Sequence, residues 1–135
     1  MGDELRSRGL RFDIGIASTA ARVRETIDEL APHGSQLDFP IRFDPQLYLA
    51  SAERLLELMR ELPPEADAVL LVGHNPGLQK LVLDLCGTGG KLAARVADKF
   101  PTAAVAVTQL KVGEWPEVRP GTGELVDLVY PRDLA

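Results

Sequence analysis

The stretch from Ala68 to Leu78, Ala-Val-Leu-Leu-Val-Gly-His-Asn-Pro-Gly-Leu, decides how this chain folds. Five consecutive apolar residues, Ala68 to Val72, predict a buried strand. Gly73 ends it, and Pro76 suits the start of a helix whose apolar positions are Leu78, Leu81, Val82, Leu85 and Cys86. A buried strand running straight into an amphipathic helix is the repeating unit of an α/β sheet. The same unit occurs upstream. Phe12 to Ala17 (FDIGIA) reads as a second buried strand, and Ser18 and Thr19 can cap a helix with Val23, Ile27 and Leu30 on its inner face.

Outward from these two units the punctuation is equally plain. Asp3 to Arg8 reads as a helix tail stopped by Gly9, and Pro40 to Leu49 has two prolines and room for a short edge strand. Ser51 caps a helix with Leu55, Leu56, Met59 and Leu62 on one stripe, ended by Pro63-Pro64. Gly87 to Gly90 reads as a loop and Leu92 to Lys99 as a helical piece. Three β-like runs close the chain, Ala103 to Val112, Trp115 to Val118 and Leu125 to Tyr130, separated by Gly113 and Pro120-Gly121. The order predicts a three-layer α/β/α sandwich on a mostly parallel mixed sheet, with an antiparallel strand at one edge.

Composition narrows the function classes. With 135 residues, 45% of them hydrophobic, the chain has enough material for one core, so residues 1–135 are expected to form a single domain. Fifteen Lys and Arg against 20 Asp and Glu give a net charge of −5, which supplies no basic field for nucleic acid or an anionic membrane surface. An anionic substrate must therefore meet a local positive cluster. A lone cysteine, Cys86, cannot form a disulfide within the chain. No apolar run has the length of a membrane span, and the N-terminus lacks the order of a signal peptide, so a cytoplasmic location is expected.

Ligands of open α/β sheets bind beyond the carboxyl ends of the strands. Two polar groups fall there. Arg22 enters the opening turn of the helix after the first strand, a position where the helix macrodipole favours an anion over a cation, so an anion bound beside it would relieve the mismatch. Arg24 is read as solvated. His74 sits between the Ala68 to Val72 strand and its helix, with Gly73 and Gly77 allowing close backbone approach. Together Arg22 and His74 outline a phosphate-sized site. G-x-G-x-x-G, G-x-x-x-x-G-K-[ST] and G-x-S-x-G are all absent from the sequence. His33 and His74 lie in unrelated contexts and Cys86 on an apolar stripe, so neither a metal nor another cofactor is expected. Trp115 and Phe100 are read as packing residues.

At this point the residues resemble a family. Ala17 to Thr26 (ASTAARVRET) is similar to the S-S-P-x-x-R-x-R-Q-T segment of the histidine phosphatase (phosphoglycerate mutase-like) superfamily, with Thr19 in place of the usual proline and Glu25 in place of a common glutamine. Leu70 to Leu78 (LLVGHNPGL) resembles the second-histidine motif of its SixA-type phosphohistidine phosphatases. Leu47 to Ser51 (LYLAS), Phe100 to Val107 (FPTAAVAV) and the closing LVYPRDL look like the same branch, so the resemblance covers nearly the whole chain. It implies that Arg22 grips the phosphoryl oxygens, that His74 supports the phosphoryl group in flight, and that Asn75 makes a substrate or orienting contact. It also implies a phosphorylated protein histidine, or a small phosphate compound, as substrate.

One departure is large. The family's first strand ends in Arg-His-Gly or Arg-His-Ala, whose histidine attacks phosphorus. Here the two histidines follow Pro32 and Gly73. The expectation is a chain that starts inside the first family helix and lacks the central first strand, with two interior sheet edges unpaired, impaired catalysis, and strand exchange between chains conceivable. The oligomeric state itself is left open. A second departure bears on substrate. Leu47 to Ser51 has no carboxylate to protonate an alkoxide, and the nearest, Glu53, lies on the following helix, which favours phosphohistidine over sugar phosphates. The alternatives are a non-catalytic module that holds phosphate or a phosphoprotein, and a phosphomonoesterase of the same superfamily.

Overall fold

A computed structural model of the chain describes residues 8–30, 39–101 and 104–130. The elements in order are β1 (Ile14–Ala17), α1 (Ala21–Leu30), β2 (Ile41–Phe43), α2 (Ala52–Arg60), β3 (Val69–Val72), α3 (Gly77–Cys86), α4 (Lys91–Asp98), β4 (Val105–Leu110) and β5 (Gly123–Val129). Short 3-10 turns cover Pro45–Leu47 and Trp115–Glu117. The α/β architecture follows the sequence pattern closely. No helix among the described residues is long and apolar enough to cross a membrane. The expected helix tail over Asp3 to Ser7, the surroundings of His33, and the residues after Tyr130 lie outside the described residues.

The strands form two pieces. β1 is central to a parallel sheet of order β2-β1-β3, with Gly15 opposite Ile41 and Ala17 opposite Val72. β4 and β5 form a separate antiparallel pair. The outer edges of β3 and β4 pair with no described strand. A cavity of about 1480 Å³ is lined by residues of both, including Leu70, Leu71, Val105 and Val107. β3, expected as a buried strand, is less covered than its apolar run predicts: all four of its residues are only part-buried, one edge being paired with β1 and the other facing the cavity.

The helices supply most of the core. α2 packs on α3, burying Leu55, Leu56 and Leu58 with Leu81, Leu85 and Ile16. The Ser51 hydroxyl caps α2 by accepting from the Arg54 amide at 3.1 Å, as its sequence context predicted. Val96, Phe100, Leu128 and Tyr130 form a second cluster between α4 and β5. Trp115 to Val118 is a 3-10 turn and not the strand its composition suggested. Pro116 has no amide to donate to a ladder, and the turn instead directs the Trp115 indole N–H to the Ala66 carbonyl at 2.9 Å and buries Val118. Trp115 and Phe100 do serve as packing residues.

Candidate functional site

Parallel pairing sets the site. Because β1 and β3 run together and end in register at Ala17 and Val72, the residues that follow them emerge side by side. The Ser18 amide donates to the Val72 carbonyl at 3.0 Å, and the Asp44 amide donates to the Ala17 carbonyl at 2.8 Å, so the exits of all three parallel strands are stitched together. His74 follows β3 by two residues. Its Nε2 lies 2.8 Å from the Ser18 hydroxyl, and its carbonyl accepts from the Leu78 amide at 3.0 Å. The histidine is thus fixed at the ring and at the backbone.

A third element flanks it. The ring of Tyr48 meets the His74 imidazole edge-on, with centroids 5.4 Å apart and an interplanar angle of 74°. Tyr48 is held there by the turn before it. The Asp44 carboxylate accepts from the Gln46 amide at 2.9 Å, and Leu47 is buried. The Ala50 carbonyl then presses on Gly77 so closely that a Cβ on that glycine would come within 2.1 Å of the oxygen. Leu49 adopts a left-handed backbone, φ 51°, and both Tyr48 and Leu49 are exposed, at 55% and 66%. An exposed pair of large side chains, one of them on a left-handed backbone, beside a fixed histidine is more typical of a site than of a plain surface.

Arg22, four residues beyond Ser18, lies in the first turn of α1 and lines the same cavity as His74. Its side chain makes no hydrogen bond or ion pair among the described residues, and α1 carries no acid in its first turn. Several other cations are committed, though Arg11 also lines the cavity. Arg54 pairs with Glu57, Lys80 with Glu53 and Asp84, and the Arg60 Nε–H donates to the Val118 carbonyl at 2.8 Å. Arg24, expected to be merely solvated, places its guanidinium over the Phe43 ring at 4.1 Å. Arg42 of β2 and the carboxylate of Asp44 also line the cavity. Neither was singled out in the sequence; the only signal was their place where β2 pairs beside β1, Arg42 opposite Ile16.

Asn75 precedes a cis peptide to Pro76, and its Nδ2 donates to the Phe100 carbonyl at 2.5 Å, which ties the β3–α3 junction to the segment leading to β4. Glu53 is engaged by Lys80 at 3.2 Å, and its own backbone amide, then that lysine, hold its carboxyl below the usual carboxylate range. Cys86 is unsuited to nucleophilic work. Burial pushes its thiol up, against a smaller opposing effect of Thr108, whose hydroxyl lies 3.6 Å from the sulfur. Arg22 and His74 thus both line the cavity, one from each strand–helix junction.

Comparison with known proteins gives the setting. No family model matches the chain. An uncharacterized protein of Mycobacterium tuberculosis H37Rv is 34% identical over 134 residues, 97% of this chain and 81% of the relative. One of Mycobacterium leprae is 30% identical over 133 residues, 97% of this chain and 79% of the relative. Among solved structures, one from Agrobacterium tumefaciens assigned as the phosphohistidine phosphatase SixA has a TM-score of 0.74 at 28% identity, covering 96% of this chain and 75% of that one. Another so assigned, from Nakamurella multipartitia, has a TM-score of 0.82 at 24% identity, covering 96% of this chain and 77% of that one. A protein histidine phosphatase SixA complexed with tungstate has a TM-score of 0.69 at 21% identity, covering 99% and 78%.

Proposed function

Since the chain belongs to the family of these mycobacterial proteins and has the SixA-type histidine phosphatase fold, we propose that its site serves phosphohistidine hydrolysis on a phosphorylated protein. In this reading a histidine nitrogen attacks phosphorus, the N–P bond of the substrate breaks, and the released imidazole takes up a proton. Water then attacks the phosphoryl-histidine of the enzyme and releases phosphate. Arg22 and His74 stabilise the charge on the equatorial oxygens in both steps. The observation that carries the reading is His74 locked beside the exit of β1, with Arg22 one helical turn beyond and unpaired among the described residues.

The attacking histidine is not His74 in this reading, and no Arg-His pair occurs in the chain. We propose that the nucleophile arrives on a strand occupying the slot between β3 and β4, and that the chain by itself turns over little. The two unpaired edges and the apolar lining between them favour an extended segment there. Phosphatase assays on phosphohistidine with this chain, beside a form extended by an Arg-His-bearing strand, test this. Activity only in the extended form is expected, and equal activity in both would overturn it. If neither form turns over but the chain binds phosphate, the non-catalytic module is the better account.

Phosphohistidine is preferred over esters because Leu47 to Ser51 contains no carboxylate and Glu53 is engaged by Lys80. One observation favours a second reading as a phosphomonoesterase: Asp44 lines the cavity and could protonate an alkoxide. In the extended form, Asp44→Asn is expected to leave phosphohistidine turnover within a few-fold of the parent. A selective loss of ester hydrolysis would instead assign Asp44 as a general acid.

A further inference from the structure

We infer that Ser18 is a positioning residue that fixes His74 in the Nδ1–H tautomer, so that even the uncharged imidazole offers a hydrogen-bond donor to an oxyanion. The inference rests on the reading of Arg22 and His74 as an oxyanion site. Ser18 is the one polar residue classed as buried among the described residues, with no exposed surface. Its position is not adjustable: its amide is bonded to Val72 of β3, and the preceding carbonyl, Ala17, is bonded to Asp44.

Among the described residues the hydroxyl has two partners. It accepts from the Ala20 amide at 3.3 Å and lies 2.8 Å from His74 Nε2. A buried hydroxyl hydrogen needs an acceptor, and between these two partners only the imidazole nitrogen can be one. Ser18 therefore donates to Nε2, which requires a lone pair on Nε2 and places the proton on Nδ1. Free histidine side chains favour the opposite tautomer, so the serine inverts the intrinsic preference. When the imidazole is charged, Nε2–H donates to the second lone pair of the hydroxyl, and Nδ1–H is again present. Both states thus keep the donor that a phosphoryl oxygen needs, whereas a bare Nδ1 would repel it. Rotation of the ring is opposed by Tyr48 at its side, and the bond from the Leu78 amide to the His74 carbonyl fixes the backbone that carries it.

Long-range proton–nitrogen NMR spectra of the ¹⁵N-labelled chain, taken where the imidazole is neutral, read the tautomer directly, and His33→Gln assigns the two histidines. The unaltered chain is expected to show His74 protonated at Nδ1 and bare at Nε2. Ser18→Ala should shift it toward the Nε2–H form and weaken binding of inorganic phosphate about tenfold, while Ser18→Thr, which keeps the hydroxyl, should retain the parent tautomer. An Nε2–H form in the unaltered chain overturns the inference without any variant, and so does a Ser18→Ala chain with the parent tautomer. A chain that holds the Nδ1–H form yet binds no phosphate overturns the proposed function and not the role of Ser18.

Discussion

The placement of Arg22 and His74 was legible in the sequence, because each stands at a junction where a strand becomes a helix, and such junctions face one edge of a parallel sheet. What fixes His74 was not legible. The Ser18 hydroxyl bonds a histidine 56 positions away, and the ring of Tyr48 meets that histidine from a third segment. No periodicity carries such contacts. Asn75 was expected to make a substrate or orienting contact, and its amide nitrogen donates to the Phe100 carbonyl. Arg22 carries the sharpest prediction at this scale. Charge-assisted hydrogen bonds contribute about 1.5–3 kcal/mol, so Arg22→Ala should weaken inorganic phosphate binding by roughly ten- to a hundredfold in calorimetric titration. Arg22→Lys should fall between, because it keeps the charge and loses the planar fork.

Elements were read well where an apolar period or a cap specified them, as in α2 with its Ser51 cap and α3 with its stripe at Leu78, Leu81, Val82 and Leu85. At Trp115 to Val118 the β-forming side chains suggest a strand, but Pro116, with no amide to donate, favours the turn that forms. Gly77 tests the contact that seats the Tyr48 turn on α3. Alanine is ordinarily the better helix former, yet here its Cβ would meet the Ala50 carbonyl, so Gly77→Ala should destabilise the chain by about 1–3 kcal/mol in denaturant titration. Asp13 clamps β1 to the start of β3 by accepting from the Ala68 and Asp67 amides at 2.9 and 2.7 Å, which hold its carboxyl below the ordinary value. A depressed folded-state pKa stabilises the fold above the unfolded carboxylate range and is lost as pH falls through the folded value. Asp13→Asn should therefore flatten the acid limb of the stability–pH curve and leave its slope near neutrality unchanged.

At the scale of the molecule, the fold class was legible and the depth of burial was not. Five apolar residues from Ala68 to Val72 specify a strand, but a strand's own sequence does not say what covers its far edge. The slot between β3 and β4 predicts that amides on those outer edges exchange with solvent far faster than the amides bonded between β1 and β3, which hydrogen-exchange spectra would report. The central claim is that Arg22 and His74, from two strand–helix junctions, make one oxyanion site. Calorimetric titration of tungstate into the parent chain, Arg22→Ala, His74→Ala and the double variant tests it as a thermodynamic cycle. Saturable binding with a coupling energy of about 0.5–3 kcal/mol between the two positions is predicted; no binding by the parent chain, or losses that simply add, would contradict it.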